Sequence, residues 1–142
     1  MSDRDLLAAY RTTTWTVETA DEDLLVRPGQ SAPVPLRPSA IVTAYNPASR
    51  AASPAANRRA DAALRARLDA LHLPALRTLA HGSSPAWDEP GWCIPGPVRE
   101  IAVSLAAELG QNAIVWIDAA GDVTIVVTRD GFCGARVGDV IG

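Results

Sequence analysis

The chain has 142 residues, of which 48% are hydrophobic and 20% charged, and its formal net charge is −3. This is the composition of one soluble domain, long enough to bury a core without disulfide or metal staples. It offers no general electrostatic case for nucleic acid. All 13 basic residues are arginine, which in so alanine-rich a chain is a trait of composition rather than of phosphate recognition. Six of them (50, 58, 59, 65, 67 and 77) face only Asp61 and Asp69 between Arg50 and Arg77. A solvated helix face is expected there, with an anionic or acidic-partner surface as the sharper alternative.

The opening "MSDRDLLAAY" carries acids where a signal peptide would carry positive charge, and no segment has the length of a membrane span. A cytoplasmic protein with no membrane partner is expected. Cys93 and Cys133 lie far apart, with no CxxC and no His at ligand spacing. They are expected as free thiols, with no metal and no cofactor.

In chain order, Ser2 and Asp5 predict an acid version of a capping box on a short helix through Tyr10. The β-branched and aromatic run 12–18 predicts a strand, with 24–29 as its hairpin partner. Prolines 28, 33, 35 and 38 mark a connector. Residues 40–45 form the next strand, stopped by Asn46-Pro47. Asn57 is the expected N-cap of a helix whose Leu64, Leu68 and Leu71 share one face, ended by Pro74. Strands follow at 75–81 and 92–94, separated by "GSSPAWDEPG", which is turn chemistry throughout. Pro97 opens a helix carrying Val98, Ile101, Ala102, Leu105, Ala106 and Leu109 on one stripe, closed by Gly110. The apolar run 113–117 predicts a buried strand and 123–128 a half-buried one.

These elements define an α+β protein of a single domain: residues 1–39 (helix, hairpin and connector), a core over 40–128, and a Gly-rich tail over 129–142. The core order is that of a ferredoxin-like, split βαβ sandwich, a mainly antiparallel sheet with two helices on one face. The terminal hairpin would extend the sheet or cover its other face. In such a fold three connections meet at one sheet end, from Asn46 to Asn57, from Gly82 to Gly91, and from Gly110 to Asn112. They gather Asn46, Ser49, Asn57, Ser83, Ser84, Gln111 and Asn112 beside Tyr45, Trp87 and Glu89, with His81 at the edge. Convergent polar groups near aromatic rings are what a small-ligand pocket needs. A helix starting at Asn57 would also turn its free N–H groups there, which suits an anion.

The strings "IVTAYNPASR", "WDEPGW" and "GQNAIVW", with Asn57 between the first two, resemble a bacterial domain-of-unknown-function family, number three-two-nine-three in the DUF series. The likeness spans about residues 10 to 128, and leaves out the tail. It is looser at Tyr10 and Thr14-Trp15. The family carries no established activity, so the resemblance implies no reaction.

The leading functional expectation is a domain binding a small polar or anionic molecule, a nucleotide or metabolite, through Tyr45, Asn46, Ser49, Asn57, Trp87, Gln111 and Asn112. The alternative is an enzyme on the same site. Glu89, between two tryptophans, would then be the acid or base and His81 its partner. A Cys93–His81 pair would supply a nucleophile, but a Cys inside an apolar strand is expected to be structural. A third reading is an interaction module in which exposed Trp87 and Trp92, or an open sheet edge, meet a partner or make a homodimer. P-loop, HExxH, GxSxG and strand-linked GxGxxG patterns are all absent from the sequence.

Overall fold

The computed structural model describes residues 2–83 and 86–142. Its elements are α1 (Asp3–Arg11), β1 (Thr14–Glu18), β2 (Asp23–Val26), β3 (Ser39–Val42), α2 (Pro54–Ala70), β4 (Leu76–Ser83), β5 (Ala86–Pro95), α3 (Arg99–Glu108), β6 (Ala113–Ile117) and β7 (Val123–Val127). The strands form one seven-stranded sheet in the order β2-β1-β4-β5-β3-β6-β7. Every pairing is antiparallel. The protein is α+β, and the N-terminal hairpin extends the sheet beside β4.

Local chemistry sets most boundaries. Ser2 and Asp5 make the expected reciprocal capping box on α1. At α2 the expected cap is corrected. Ser53 accepts from the Ala56 N–H, and Pro54 occupies the first helical position. The helix therefore starts before Asn57, which lies buried inside its first turn. The helix Pro97 was expected to open starts at Arg99, and Gly110 closes it with φ +71°.

The second correction concerns residues 82–91. In place of a loop, a long ladder continues through Ala80↔Glu89 and Gly82↔Trp87. Pro90 is tolerated because its carbonyl accepts from Thr43 Oγ1 at 2.8 Å, on the side away from β4. Its missing N–H falls on that same side, where β5 has no ladder partner beyond Trp92. Two glycines admit close neighbours. A Cβ on Gly91 would lie 2.9 Å from the Val42 carbonyl oxygen, and the Trp87 indole occupies the space a Cβ would take on Gly82.

Two cores lie on opposite faces of the sheet. One packs Leu64 and Leu68 of α2 and Val103, Leu105 and Ala106 of α3 against Val42, Ile94, Ile114 and Val126. The other joins Trp15 and Val17 of β1 to Val123, Ile125 and Val127 of β7. Those strands are far apart in sheet order, so the sheet curls and this face is concave. Leu6 and Tyr10 of α1 and Phe132 of the tail cover it. The Gly-rich tail, whose role the sequence leaves open, is structural. Phe132 is fully buried and meets the Tyr10 ring edge-on at 6.2 Å. Ile141 N–H donates to the Ile125 carbonyl, and Val127 N–H to that of Asp139, so the tail occupies the outer edge of β7.

Truncating the Phe132 ring removes a filled part of the concave core. Phe132→Ala is expected to destabilise the protein by about 3–5 kcal/mol. Urea unfolding would measure it, and a loss below about 1 kcal/mol would show the tail to be dispensable.

Candidate functional site

The concave face is not filled. A cavity of about 350 Å³ opens between α1, the central strands and the segment after β3. Alternation along the strands decides what faces it. Thr78 and Ala80 of β4, Glu89 and Gly91 of β5, Ile41 of β3, and Ala113 and Val115 of β6 line it, with Trp15 and Trp87. Many of these side chains are small, which is why the space exists.

The segment after β3 forms the polar end. Asn46 adopts a left-handed conformation, φ +47°, as do Ala48 (φ +54°) and Ser49 (φ +60°). Asn tolerates this region and Ala does not, so the turn needs external support. Asn57 provides it through a reciprocal amide pair. Asn46 N–H donates to Asn57 Oδ1 at 2.9 Å, and Asn57 Nδ2 donates to Asn46 Oδ1 at 2.9 Å. Asn46 Oδ1 also accepts from Ala52 N–H. The remaining Asn46 donor, Nδ2, reaches Glu89 Oε2 at 3.3 Å.

The other predicted amides complete the fastening. Gln111 Nε2 donates to the Tyr45 carbonyl at 3.0 Å. Asn112 Nδ2 donates to Ser49 Oγ at 3.0 Å, while Arg129 Nε donates to Asn112 Oδ1 at 2.6 Å. Ala48 N–H donates to the Gly110 carbonyl. Thus Asn46, Ser49, Glu89 and Gln111 line the cavity, as does Trp87, while Asn57 and Asn112 are buried behind them as ties. Tyr45 contributes its carbonyl, and it is not among the lining residues.

His81 is not brought to Glu89. It pairs across the ladder with Asp88, whereas Glu89 pairs with Ala80, so the two side chains leave opposite faces of the sheet. His81 Nδ1 lies 2.7 Å from Asp88 Oδ1. Cys93 is likewise removed from His81. It is buried in the concave core, and burial pushes its thiol up to about 11, the opposite of an activated nucleophile. Trp92 is not an exposed docking residue, since Arg65 and Arg77 stack over its ring at 4.8 and 4.4 Å. Of the arginine-rich stretch, Arg65, Arg67 and Arg77 pair with Asp69, Glu108 and Asp61. Ser84 lies outside the described residues. Among the described residues there is no cluster of His, Cys, Asp and Glu able to hold a metal, and no helix is long and apolar enough to cross a membrane.

The site residues that sequence reasoning did not single out are Tyr10, Trp15, Thr43 and Thr78. The i, i+4 spacing of Leu6 and Tyr10 was the available signal for an inward face of α1. Burial, and then the negative charge of Glu89, push the Tyr10 phenol up, against the effect of the Ser49 hydroxyl. It therefore stays protonated. Burial also raises the Glu89 carboxyl above its ordinary range, and the Asn46 amide and the Thr43 hydroxyl draw it back in part.

With this geometry in hand, the chain belongs to the family described as Protein of unknown function (DUF3293), whose model matches residues 42–114. The matched segment contains Asn46, Asn57, Glu89, Gln111 and Asn112, and leaves out Tyr10 and the tail. No curated protein and no solved structure matches the chain.

Because the folded pKa of Glu89 is raised, the folded state holds its proton more tightly than the unfolded chain. Its contribution to stability is full below the ordinary value of 4.5 and is lost as pH rises through the folded value. Glu89→Gln keeps a carbonyl acceptor for Asn46 and removes the charge. Its melting temperature is expected to exceed the wild type's by about 2–4 °C near neutral pH, with the gap closing towards pH 4. A gap that does not change with pH would contradict this ionisation. Asn46→Ala keeps the backbone N–H bond to Asn57 Oδ1 but removes the Oδ1 that accepts from Asn57 Nδ2 and Ala52 N–H, and it places Ala at positive φ. A loss of about 2–4 kcal/mol in denaturant unfolding is expected, and one under about 0.5 kcal/mol would remove Asn46 as the fastener.

Proposed function

We propose that this protein binds a small molecule in the concave cavity, with Glu89, Gln111, Ser49 and Tyr10 recognising its polar end. The observation that carries this reading is the cavity itself. A volume of about 350 Å³ lies within the range of small-molecule sites, ~300–1,000 Å³. Apolar walls and a few polar groups fixed at one end are their usual make-up. The ligand is polar rather than anionic. Among the described residues, no Arg or His side chain lines the cavity, and the start of α2 at exposed Ser53 withdraws the helix-terminus argument for an anion. We read the arrangement β4-β5-β3-β6 with α2 and α3 on one face as ferredoxin-like, and the free thiols Cys93 and Cys133 as fitting a reducing, cytoplasmic compartment.

Ala51 is exposed and lines the cavity, so it stands at the mouth. Ala51→Trp should close the entrance without touching the core. In a fragment screen by thermal shift and tryptophan fluorescence, molecules that stabilise the wild type are expected to lose their effect on this variant. Fragments that stabilise both proteins equally would place binding elsewhere and remove the cavity from the function.

Catalysis at Glu89 is a second reading, favoured by the raised carboxyl in a partly desolvated site. If a bound molecule is turned over, kcat should fall at least ~100-fold in Glu89→Gln. Unchanged turnover would end that role.

A further inference from the structure

The polar end of the cavity carries the Glu89 carboxylate and, among the described residues, no basic side chain, only neutral hydroxyls, among them those of Tyr10, Ser49 and Thr78, and the amides of Asn46 and Gln111. Glu89 is half-buried; Asn46 Nδ2 donates to its Oε2 at 3.3 Å, and the Thr43 hydroxyl is its other polar neighbour. No ion pair involves it among the described residues. A carboxylate removed from water without a cation is costly unless something pairs with it. Gln111 adds a second acceptor. Its Nε2 faces the Tyr45 carbonyl, and an amide oxygen there would meet another oxygen, so the amide orientation is fixed. Its Oε1 then accepts no bond among the described residues, and yet it is not a buried orphan. It belongs to a residue that lines the cavity and is 4% exposed. The Thr43 hydroxyl, which donates to the Pro90 carbonyl, also favours the charged form of Glu89, but both it and the Asn46 amide are neutral neighbours of the carboxylate. The walls include the rings of Tyr10, Trp15 and Trp87, whose faces attract cations. The nearest arginine in sequence, Arg50, is exposed and lies outside the lining.

We propose that the molecule taken into this cavity is an organic cation, an amine. Its ammonium group pairs with the Glu89 carboxylate and donates to the acceptors at the Tyr45–Asn46 end, and its apolar body lies along Ile41, Trp15 and Trp87. The inference rests on reading the cavity as the ligand site and specifies the charge of what enters it. Three donors on one ammonium suit a carboxylate and an amide oxygen together, whereas an anion would meet Glu89 with like charge. Asn46 acts here as a positioning residue, orienting the carboxylate through its bond to Glu89 Oε2.

The test compares 2-phenylethylamine, 2-phenylethanol and phenylacetate, which share a ring and differ in charge, at equal ionic strength. Binding is followed by thermal shift and tryptophan fluorescence on the wild type, Ala51→Trp and Glu89→Gln. The amine is expected to bind, the alcohol at least tenfold more weakly, and phenylacetate not at all. Glu89→Gln should weaken the amine at least tenfold and leave the alcohol within threefold, a selectivity that a folding defect would not produce. Amine binding undiminished in Glu89→Gln would overturn the proposal. So would equal or tighter binding of the alcohol or phenylacetate, and if Ala51→Trp abolished that binding the cavity would stand as a ligand site for a different class. Silence from all three probes would also overturn the cation, with the cavity then judged by the broader fragment comparison.

Discussion

The reciprocal amide pair between Asn46 and Asn57 is the constraint on which the site depends. Its members come from the exit of a central strand and the first turn of the longest helix, so one contact sets the position of α2 and the path of the chain after β3. Both amides are at least partly withdrawn from water, where a hydrogen bond is electrostatically stronger and a broken one costs more. The pair also leaves one Asn46 donor over, and that donor meets Glu89. A tie that orders the loop therefore also sets the orientation of the carboxylate in the cavity. Within the Asn46 amide, Oδ1 fastens the loop and Nδ2 meets the cavity carboxylate.

This arrangement explains why strained backbone gathers at one place. Asn46, Ala48 and Ser49 all have positive φ, and such residues persist only where the surroundings over-determine them. The surroundings here are specific: Asn57 on one side, the Gly110 carbonyl beneath Ala48, and Asn112 on Ser49. Together they turn the segment inward over the concave face instead of letting it run outward from the sheet edge. The Ser49 hydroxyl accepts from Asn112, which leaves its own proton directed away from that bond.

Much of the architecture was legible in the sequence, because it rests on local signals. The capping box at Ser2, the apolar run at 113–117 and the alternation from Val123 each specify an element by periodicity or by a cap. The boundaries that shifted have physical reasons. Asn57 resembles an N-cap in isolation, but Ser53-Pro54 supplies a better start, and the Asn amide is used across the fold instead. The stretch 82–91 reads as turn because Gly, Pro, Asp and Ser crowd it. It pairs as strand because the ladder to β4 leaves the missing Pro90 N–H on the unpaired side. That pairing settled which residues share a face, and so parted His81 from Glu89. The polar cluster of Asn46, Ser49, Gln111 and Glu89 could be named from loop composition. Tyr10, Trp15 and the buried tail could not, because they reach the site through the curl of the sheet, and curl is a property of all the strands together.

The cavity is the feature that fold stability alone does not require. Interiors are packed to the density of organic crystals, and unfilled volume costs stability at roughly 24 cal/mol per Å³ when it is dry. Here the chain places Ala80, Ala113 and Thr78 under the curl, where larger β-branched residues would fill the space and favour the strand. It also leaves a carboxylate half-withdrawn from water, with only neutral partners, the Asn46 amide and the Thr43 hydroxyl. Either choice alone is a local weakness. Together they form a shaped space with a charge at one end and aromatic walls, and in the binding proposed above each weakness would be relieved by the same event, the entry of an apolar body that carries a cation.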